Sequence, residues 1–243
     1  MILKMNKIHE LLGYENIKII QNDEMFSFSL DSMLLANFID THNAKEIIDL
    51  GCGNAPIPLF LTLKTNAYIT GVEIQEEVYK LAVESVKLNN FNEQIEIIND
   101  DLKDIYKKLG ANRFDIVSCN PPFFKATDAL KNHNDFLTIA RHEVKATIDD
   151  IVKEANKLLI DGGNLYLVHR VLRMIDVLDV LKKYNFGIKR MQFIYPVKDK
   201  EAQSFLIQAS KNRKDNLKVD KPIVVYENNK YTQEVLDIFN FKK

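Results

Sequence analysis

The chain of 243 residues has 33 Lys or Arg against 34 Asp or Glu, a formal net charge of -1, with 46% hydrophobic residues and two cysteines. That apolar fraction at this length supports a sizeable core and excludes a mainly disordered chain, while Cys52 and Cys119, without zinc-type spacing, point to reduced core thiols and neither a disulfide nor a metal site. No apolar run reaches 18 residues and the start MILKMNKIHELLGYENIK lacks an apolar signal segment, so a cytoplasmic protein with no membrane association is expected.

After an opening segment, residues 1–45, short β-branched runs alternate with amphipathic stretches. Strands are expected near Glu46–Leu50, Tyr68–Val72, Ile95–Ile98, Phe114–Cys119, Asn164–His169, Ile188–Tyr195 and Ser204–Ala209. Helices are expected at Pro56–Lys64, Glu76–Asn89, Ile148–Leu159 and Leu172–Tyr184. The last two strands are joined by VKDKEAQ, too short for a crossover helix, so they pair antiparallel at one edge of an otherwise parallel sheet. The pattern predicts an α/β, Rossmann-like fold of seven strands with helices on both faces. No repeat or linker divides the chain, and residues 211–243 follow the last strand.

The first chemical motif is Ile47-Ile48-Asp49-Leu50-Gly51-Cys52-Gly53-Asn54-Ala55-Pro56. A strand running into Gly-x-Gly and then a helix turns sharply and admits a nucleoside where a Cβ would block it. A dinucleotide fold would want a third glycine at position 56, where Pro56 stands. Asp49 at the strand tip repels phosphate but suits the cationic amino-acid part of S-adenosylmethionine. Glu73 ends the next strand, where a carboxylate accepts both hydroxyls of a ribose. Asp100 and Asp101 end the third, where one accepts from an adenine amino group; Asp101 also fits a helix N-cap before LKDIYKKL.

Asn120-Pro121-Pro122-Phe123, directly after the fourth strand, speaks to the reaction. An aromatic amine is a weak nucleophile because its lone pair is delocalised into the ring. If the Asn120 side-chain oxygen and the Pro121 carbonyl accept its hydrogens, the nitrogen is drawn toward tetrahedral geometry and its lone pair toward the methyl group. Adjacent prolines supply a rigid carbonyl, and Phe123 can stack on the base, worth roughly 1–3 kcal/mol.

With these residues the chain resembles class I S-adenosylmethionine-dependent N6-adenine methyltransferases and, more narrowly, the bacterial tRNA1(Val) (adenine-37-N6)-methyltransferase family. The resemblance extends through Phe26-Ser-Phe-Ser-Leu-Asp31-Ser-Met-Leu-Leu35, Ala140-Arg141-His142-Glu143, Val168-His169-Arg170, and Pro222-Ile-Val-Val-Tyr226 with Tyr231-Thr232. It departs at Phe123, where Tyr is more usual, keeping the stacking and losing a hydroxyl. It implies one methyltransferase domain, 1–243, with an N-terminal extension (1–45), a catalytic core (46–210) and a C-terminal extension (211–243). The implied cofactor contacts are Asp31, Asp49, Gly51, Cys52, Gly53, Glu73, Ile74, Asp101, Leu102 and Asn120. Asn120 to Phe123 would hold the base, and Phe123, Arg141, His142, Lys198 and Lys200 would face RNA.

Charge distribution agrees with a polyanionic partner. Leu181 to Lys221 holds 11 Lys or Arg against 4 Asp or Glu, a local +7 that leaves -8 for the remainder. A solvated lysine-rich surface reads the same way. The expected partner is tRNA, met by a monomer that holds no metal. An adenine methyltransferase acting on rRNA or DNA would keep every one of these chemical residues. A protein glutamine methyltransferase shares the Asn-Pro-Pro signature but would need an N-terminal helical domain larger than 45 residues. A silent RNA-binding module is the non-enzymatic alternative.

Overall fold

The computed structural model describes residues 6–11, 14–22, 29–121 and 146–240. A hairpin of β1 (Asn6–Leu11) and β2 (Tyr14–Asn22) precedes helix α1 (Leu30–Phe38). Then come β3 (Glu46–Leu50), α2 (Pro56–Leu61), β4 (Tyr68–Glu73), α3 (Glu76–Leu88), β5 (Ile95–Asn99), the single turn α4 (Tyr106–Leu109) and β6 (Phe114–Cys119). Beyond residue 146 follow α5 (Ile148–Leu158), β7 (Leu159–Arg170), a 3-10 turn at Val171–Arg173, α6 (Met174–Lys183), β8 (Phe186–Val197) and β9 (Ser204–Lys211). The described chain closes with β10 (Lys218–Val219), β11 (Ile223–Glu227), β12 (Lys230–Tyr231) and α7 (Gln233–Phe239).

Strands β3 to β12 form one sheet in the order β12-β11-β8-β9-β7-β6-β3-β4-β5, with β10 beside β8. All seven expected strands are present, and among them β9 alone runs antiparallel, to β7 on one side and β8 on the other. The expected edge is corrected. β10 and β11 pair parallel with β8, so β8 lies inside a sheet of ten strands. Strands of two residues, such as Lys218–Val219, are too short for periodicity to reveal.

Parallel strands are covered on both faces, so their runs are continuously apolar. In β3, Ile47 joins the apolar cluster on one face and Ile48 that on the other; Ile116 and Val117 of β6 divide in the same way. Ile151, Val152 and Ala155 of α5, with Val177 and Leu181 of α6, cover one face. Leu34 of α1, Phe60 of α2 and Val235 of α7 share the cluster on the other. The segment before β3 is therefore core-building: α1 buries Ser32, Met33, Leu34, Leu35, Ala36 and Phe38, each large apolar side chain contributing about 1.5–3 kcal/mol. The hairpin is tied to α3 by Lys18 N–H on Asn89 Oδ1 (2.8 Å) and Ile20 N–H on Ser85 Oγ (2.9 Å).

From β3 the chain winds outward through β4 and β5, then crosses back to β6 and β7 on the other side. β3 and β6 meet where the winding reverses, and in open α/β sheets ligands bind beyond the carboxyl ends of the strands at that point.

Candidate active site

Gly51 (φ 71°), Gly53 (φ 57°) and Ala55 (φ 71°) all take left-handed backbone in the turn from β3 to α2. Two of these sites suit glycine; Ala55 accepts a strain of order 1–2 kcal/mol. The N–H groups of Gly51 and Cys52 both donate to Val72 O, at 2.8 and 3.0 Å, fastening the turn to β4. A Cβ on Gly51 or Gly53 would meet nothing within 4 Å, so both glycines face open space at the strand ends. Cys52 is buried, its Sγ 2.8 Å from where a Cβ on Gly71 would stand, and burial pushes its thiol well above the usual range. Its side chain is packing, and only its backbone faces the turn's chemistry.

The register sets Asp49 opposite Gly71 on β4 and Ser118 on β6. Ser118 Oγ donates to Asp49 Oδ1 at 2.6 Å, while the buried Oδ2 has no partner among the described residues. Burial pushes the Asp49 carboxyl up to about 7, against the Ser118 hydrogen bond and with a further push from the Glu73 charge. A buried carboxylate with a bare oxygen is a site for a cation. Glu73 accepts from Gly53 N–H through Oε2 (3.0 Å) and from Gln75 N–H through Oε1 (2.8 Å). Burial raises its pKa. Hydrogen bonds from Gln75, Gly53 and Ile74 act against that rise and favour the charged carboxylate.

Asp100 and Asp101 differ. Asp100 accepts from Lys108 Nζ (3.0 Å) and from Asp101 N–H (2.9 Å), and the lysine bond pulls its pKa down. Asp101 accepts from Lys103 N–H through Oδ1 (2.9 Å), and Lys103 Nζ stands 3.8 Å from its Oδ2. Asp101 Oδ2 thus carries a long ion pair where Asp100 Oδ2 carries a hydrogen bond. Asp101 does not cap a helix, because α4 begins at Tyr106 behind Ile105. Ile74 is half-buried beside Glu73, and Leu102 packs partly against the core.

Asn120 follows the last residue of β6. Its Nδ2 donates to Ser32 Oγ (2.9 Å) and Ser29 Oγ (3.3 Å), both from the start of α1. Its Oδ1 is buried without a partner among the described residues. An unanswered buried acceptor costs about 1–3 kcal/mol, and this one is free to accept a hydrogen bond. Pro121 is buried next to it, whereas Pro122, Phe123, Arg141 and His142 lie outside the described residues, as do Phe26 and Phe28.

Residues 16–193 match the family model of the methyltransferase small domain. The chain belongs to this family. Among curated relatives, the tRNA1(Val) (adenine(37)-N6)-methyltransferase of Cytophaga hutchinsonii is 26% identical over 64% of this chain and 64% of its own. Proteins of the same name from Parabacteroides distasonis (24% identical, 84% of this chain and 85% of that one) and Flavobacterium johnsoniae (22%, 94% and 97%) match over more of their length. Among solved structures, a predicted O-methyltransferase from Agrobacterium tumefaciens superposes with a TM-score of 0.68 at 23% identity, over 86% of this chain and 95% of that one. The Pyrococcus horikoshii protein TYW2, solved in complex with MeSAdo, gives 0.60 at 14% identity, over 86% and 72%. At such identities these structures show the fold, a class I methyltransferase.

The residues at these strand ends fit S-adenosylmethionine, the methyl donor of class I methyltransferases: a buried carboxylate oxygen without a partner among the described residues, two glycines that face open space, and the carboxylates of Glu73 and Asp101. Asp31, between the two serines, lies with Oδ2 3.8 Å from Arg170 Nη2, and burial raises its pKa against the pull of that guanidinium. Arg170 also donates through Nη1 to Ser204 Oγ (2.9 Å). His169 is a core imidazole: its Nδ1 accepts from Arg170 N–H (2.9 Å) and burial lowers its pKa to about 4.

Lys198 and Lys200 are exposed in the turn after β8. Cys119 is level with Leu167, Ile207 and Met191 across the sheet, and Val197 lies six residues beyond Met191, about 20 Å further at 3.3 Å per residue. The two lysines therefore rise above the strand ends that hold Asn120. Much of the other positive charge in the C-terminal third is tied locally, in Lys183–Asp149, Arg190–Asp220, Arg213–Asp161 and Lys218–Asp220. Ser29, Ser32 and Arg170 stood in the sequence only as members of motifs, with no role given to them, and Ser118 was not singled out. Only the spacing of Ser29 and Ser32, three apart at a helix start, could have signalled the first two.

Proposed function

We propose that this protein transfers the methyl group of S-adenosylmethionine to N6 of an adenine in tRNA, at adenosine 37 in the anticodon loop of tRNA(Val). The observation that carries the reading is the buried, unanswered Oδ1 of Asn120 at the end of β6, beside the strand whose Asp49 offers a bare oxygen to a cation. The names of the relatives supply the substrate.

When bound, S-adenosylmethionine supplies a methyl group activated by a sulfonium centre. Asp49 Oδ2 would hold its ammonium group, the Gly51-Cys52-Gly53 backbone would line its amino-acid part, and Glu73 would accept from the ribose hydroxyls. Asp101 would accept from its adenine amine, with Ile74, Leu102 and Asp31 as further contacts. Asn120 Oδ1 and the Pro121 carbonyl accept the two hydrogens of the target amine, which localises the nitrogen lone pair. Pro122 stiffens that carbonyl and Phe123 stacks on the base. The methylated nitrogen is cationic and strongly acidic, so water takes its proton and no strong base is required. The protein's contribution is positioning and hydrogen-bond polarisation.

Arg141, His142, Lys198 and Lys200 are read as contacts to RNA phosphates, giving affinity that falls steeply with salt. A target in a single-stranded loop needs the least unstacking, a few kcal/mol at most. The apolar cluster shared by α1, α2 and α7 supports one folding unit across the chain. No helix of the described residues is long and apolar enough to cross a membrane, and a cytoplasmic monomer is the working form of the proposal.

Labelled S-adenosylmethionine, tRNA from a strain lacking the protein, and nucleoside analysis test it. N6-methyladenosine that forms with the wild type and not with Asn120→Ala supports the reading. Transfer to rRNA, DNA or protein with none to tRNA overturns the substrate, and no transfer at all overturns the enzyme.

A further inference from the structure

An asparagine amide has one acceptor oxygen and two N–H donors of nearly the same shape, so turning it over reverses what it offers a ligand. For the reaction proposed above, on which this inference rests, Asn120 must offer the oxygen. Nδ2 of Asn120 lies 2.9 Å from Ser32 Oγ and 3.3 Å from Ser29 Oγ, so the protein takes up its donors. The reverse orientation would place both amide hydrogens where the unpartnered Oδ1 now lies, two orphaned donors in place of one acceptor.

Ser29 shows that its hydroxyl is directed away from ordinary helix duty. It is the N-cap residue of α1, a position where serine usually accepts from the first turn, yet its side chain makes no cap bond. The Ser32 N–H instead donates to the Ser29 carbonyl at 3.1 Å. Ser29 and Ser32, three apart, fall on one side of the helix start, where both hydroxyls reach Asn120.

We propose that Ser29 and Ser32 are positioning residues that hold Asn120 as an acceptor only, and so make the site select a 6-amino purine over a 6-oxo purine at the target position. Adenine offers a donor there. Hypoxanthine, nearly the same shape, offers an oxygen that meets Oδ1 acceptor to acceptor. Sites built around one hydrogen-bond polarity discriminate strongly against a ligand of the wrong one.

The test compares the wild type with Ser32→Ala, Ser29→Ala/Ser32→Ala and Ser29→Thr/Ser32→Thr on a tRNA transcript, with the same transcript carrying inosine at the methylated position as inhibitor. Neither alanine removes a side-chain cap bond, and melting temperature monitors folding. Loss of one or both oriented groups should lower kcat about tenfold in the single variant and about a hundredfold in the double, with cofactor Kd and tRNA KM within about threefold. The threonine variant keeps both hydroxyls and should stay within about threefold of wild-type kcat. In the double alanine variant the freed amide can turn, so the inhibition constant of the inosine transcript should fall at least about fivefold. A double variant with kcat within twofold of wild type overturns the proposal, and so does one that loses kcat with inosine inhibition unchanged. A wild type that does not methylate adenine N6 would instead overturn the reaction itself, and that is seen before any serine variant is made.

Discussion

The two halves of the carboxyl edge of the sheet are built differently. At the ends of β3, β4 and β6 the polar groups are buried or half-buried and held in place: Asp49 by Ser118, Glu73 by two backbone N–H groups, and Asn120 by Ser29 and Ser32 of α1. Two of them keep a buried oxygen with no partner among the described residues. Toward β8 and β9 the edge rises into an exposed turn with Lys198 and Lys200, whose charges water screens. The first half tolerates almost no rearrangement and suits chemistry. The second is exposed and charged and tolerates change, which would suit an RNA backbone.

On that division the largest single effect belongs to Asn120→Ala. It should lower kcat by about 10²–10³, the usual loss when one oriented polar group leaves a reacting centre, with cofactor Kd moved less than about threefold. Equilibrium dialysis beside single-turnover methyl transfer separates the two; a large Kd change would place Asn120 with cofactor binding instead.

Asp49 should make cofactor affinity depend on pH. Its folded carboxyl is raised to about 7 from 3.8, so between these values the folded protein holds a proton that the unfolded chain has lost, and its stability falls as pH rises through that window. An ammonium partner favours the charged form and removes the penalty. Cofactor Kd should therefore tighten by about tenfold per unit as pH rises toward about 7, then level off, and the thermal shift produced by the cofactor should grow over the same range. Asp49→Asn should bind weakly and flatten that profile. An unchanged pH dependence in the variant would remove Asp49 from the ammonium site.

Smaller changes are expected at the rim. Lys198→Glu/Lys200→Glu should raise tRNA KM by about tenfold, leave kcat at saturating tRNA unaltered, and reduce the salt slope by about one for each phosphate that is no longer neutralised. A fall in kcat at saturating tRNA would erase the distinction between the two halves. The smallest effect is a control remote from both. Thr147→Ala breaks the capping box in which Thr147 Oγ1 accepts from Asp150 N–H (3.2 Å), and should cost about 1 kcal/mol, a loss of about 2–4 °C in melting temperature, with kcat unchanged.

Particular residues mark how far the sequence could be read. Asp49, Gly51, Gly53, Glu73 and Asn120 were legible because each sits at a strand end, where an apolar run stops and a chemical residue begins. What distinguishes Asp100 from Asp101 in the fold, Lys108 reaching back to Asp100, has no signature in the local sequence. The opening segment looked like an extension because the hairpin strand β2 and helix α1 bury their apolar residues against elements far along the chain, such as α3 and α7.

Strand and helix order, the glycine turn and the Asn-Pro-Pro site were determined by the sequence itself, because periodicity of two or 3.6 residues and backbone freedom at glycine are local properties. The partners of those groups were decided only by the tertiary structure. Ser118 lies 69 residues from Asp49, and Ser32 lies 88 from Asn120. No local pattern specifies such pairs; they exist because the parallel register and the packing of α1 bring them together, and burial then leaves one oxygen of each acid or amide without a partner among the described residues.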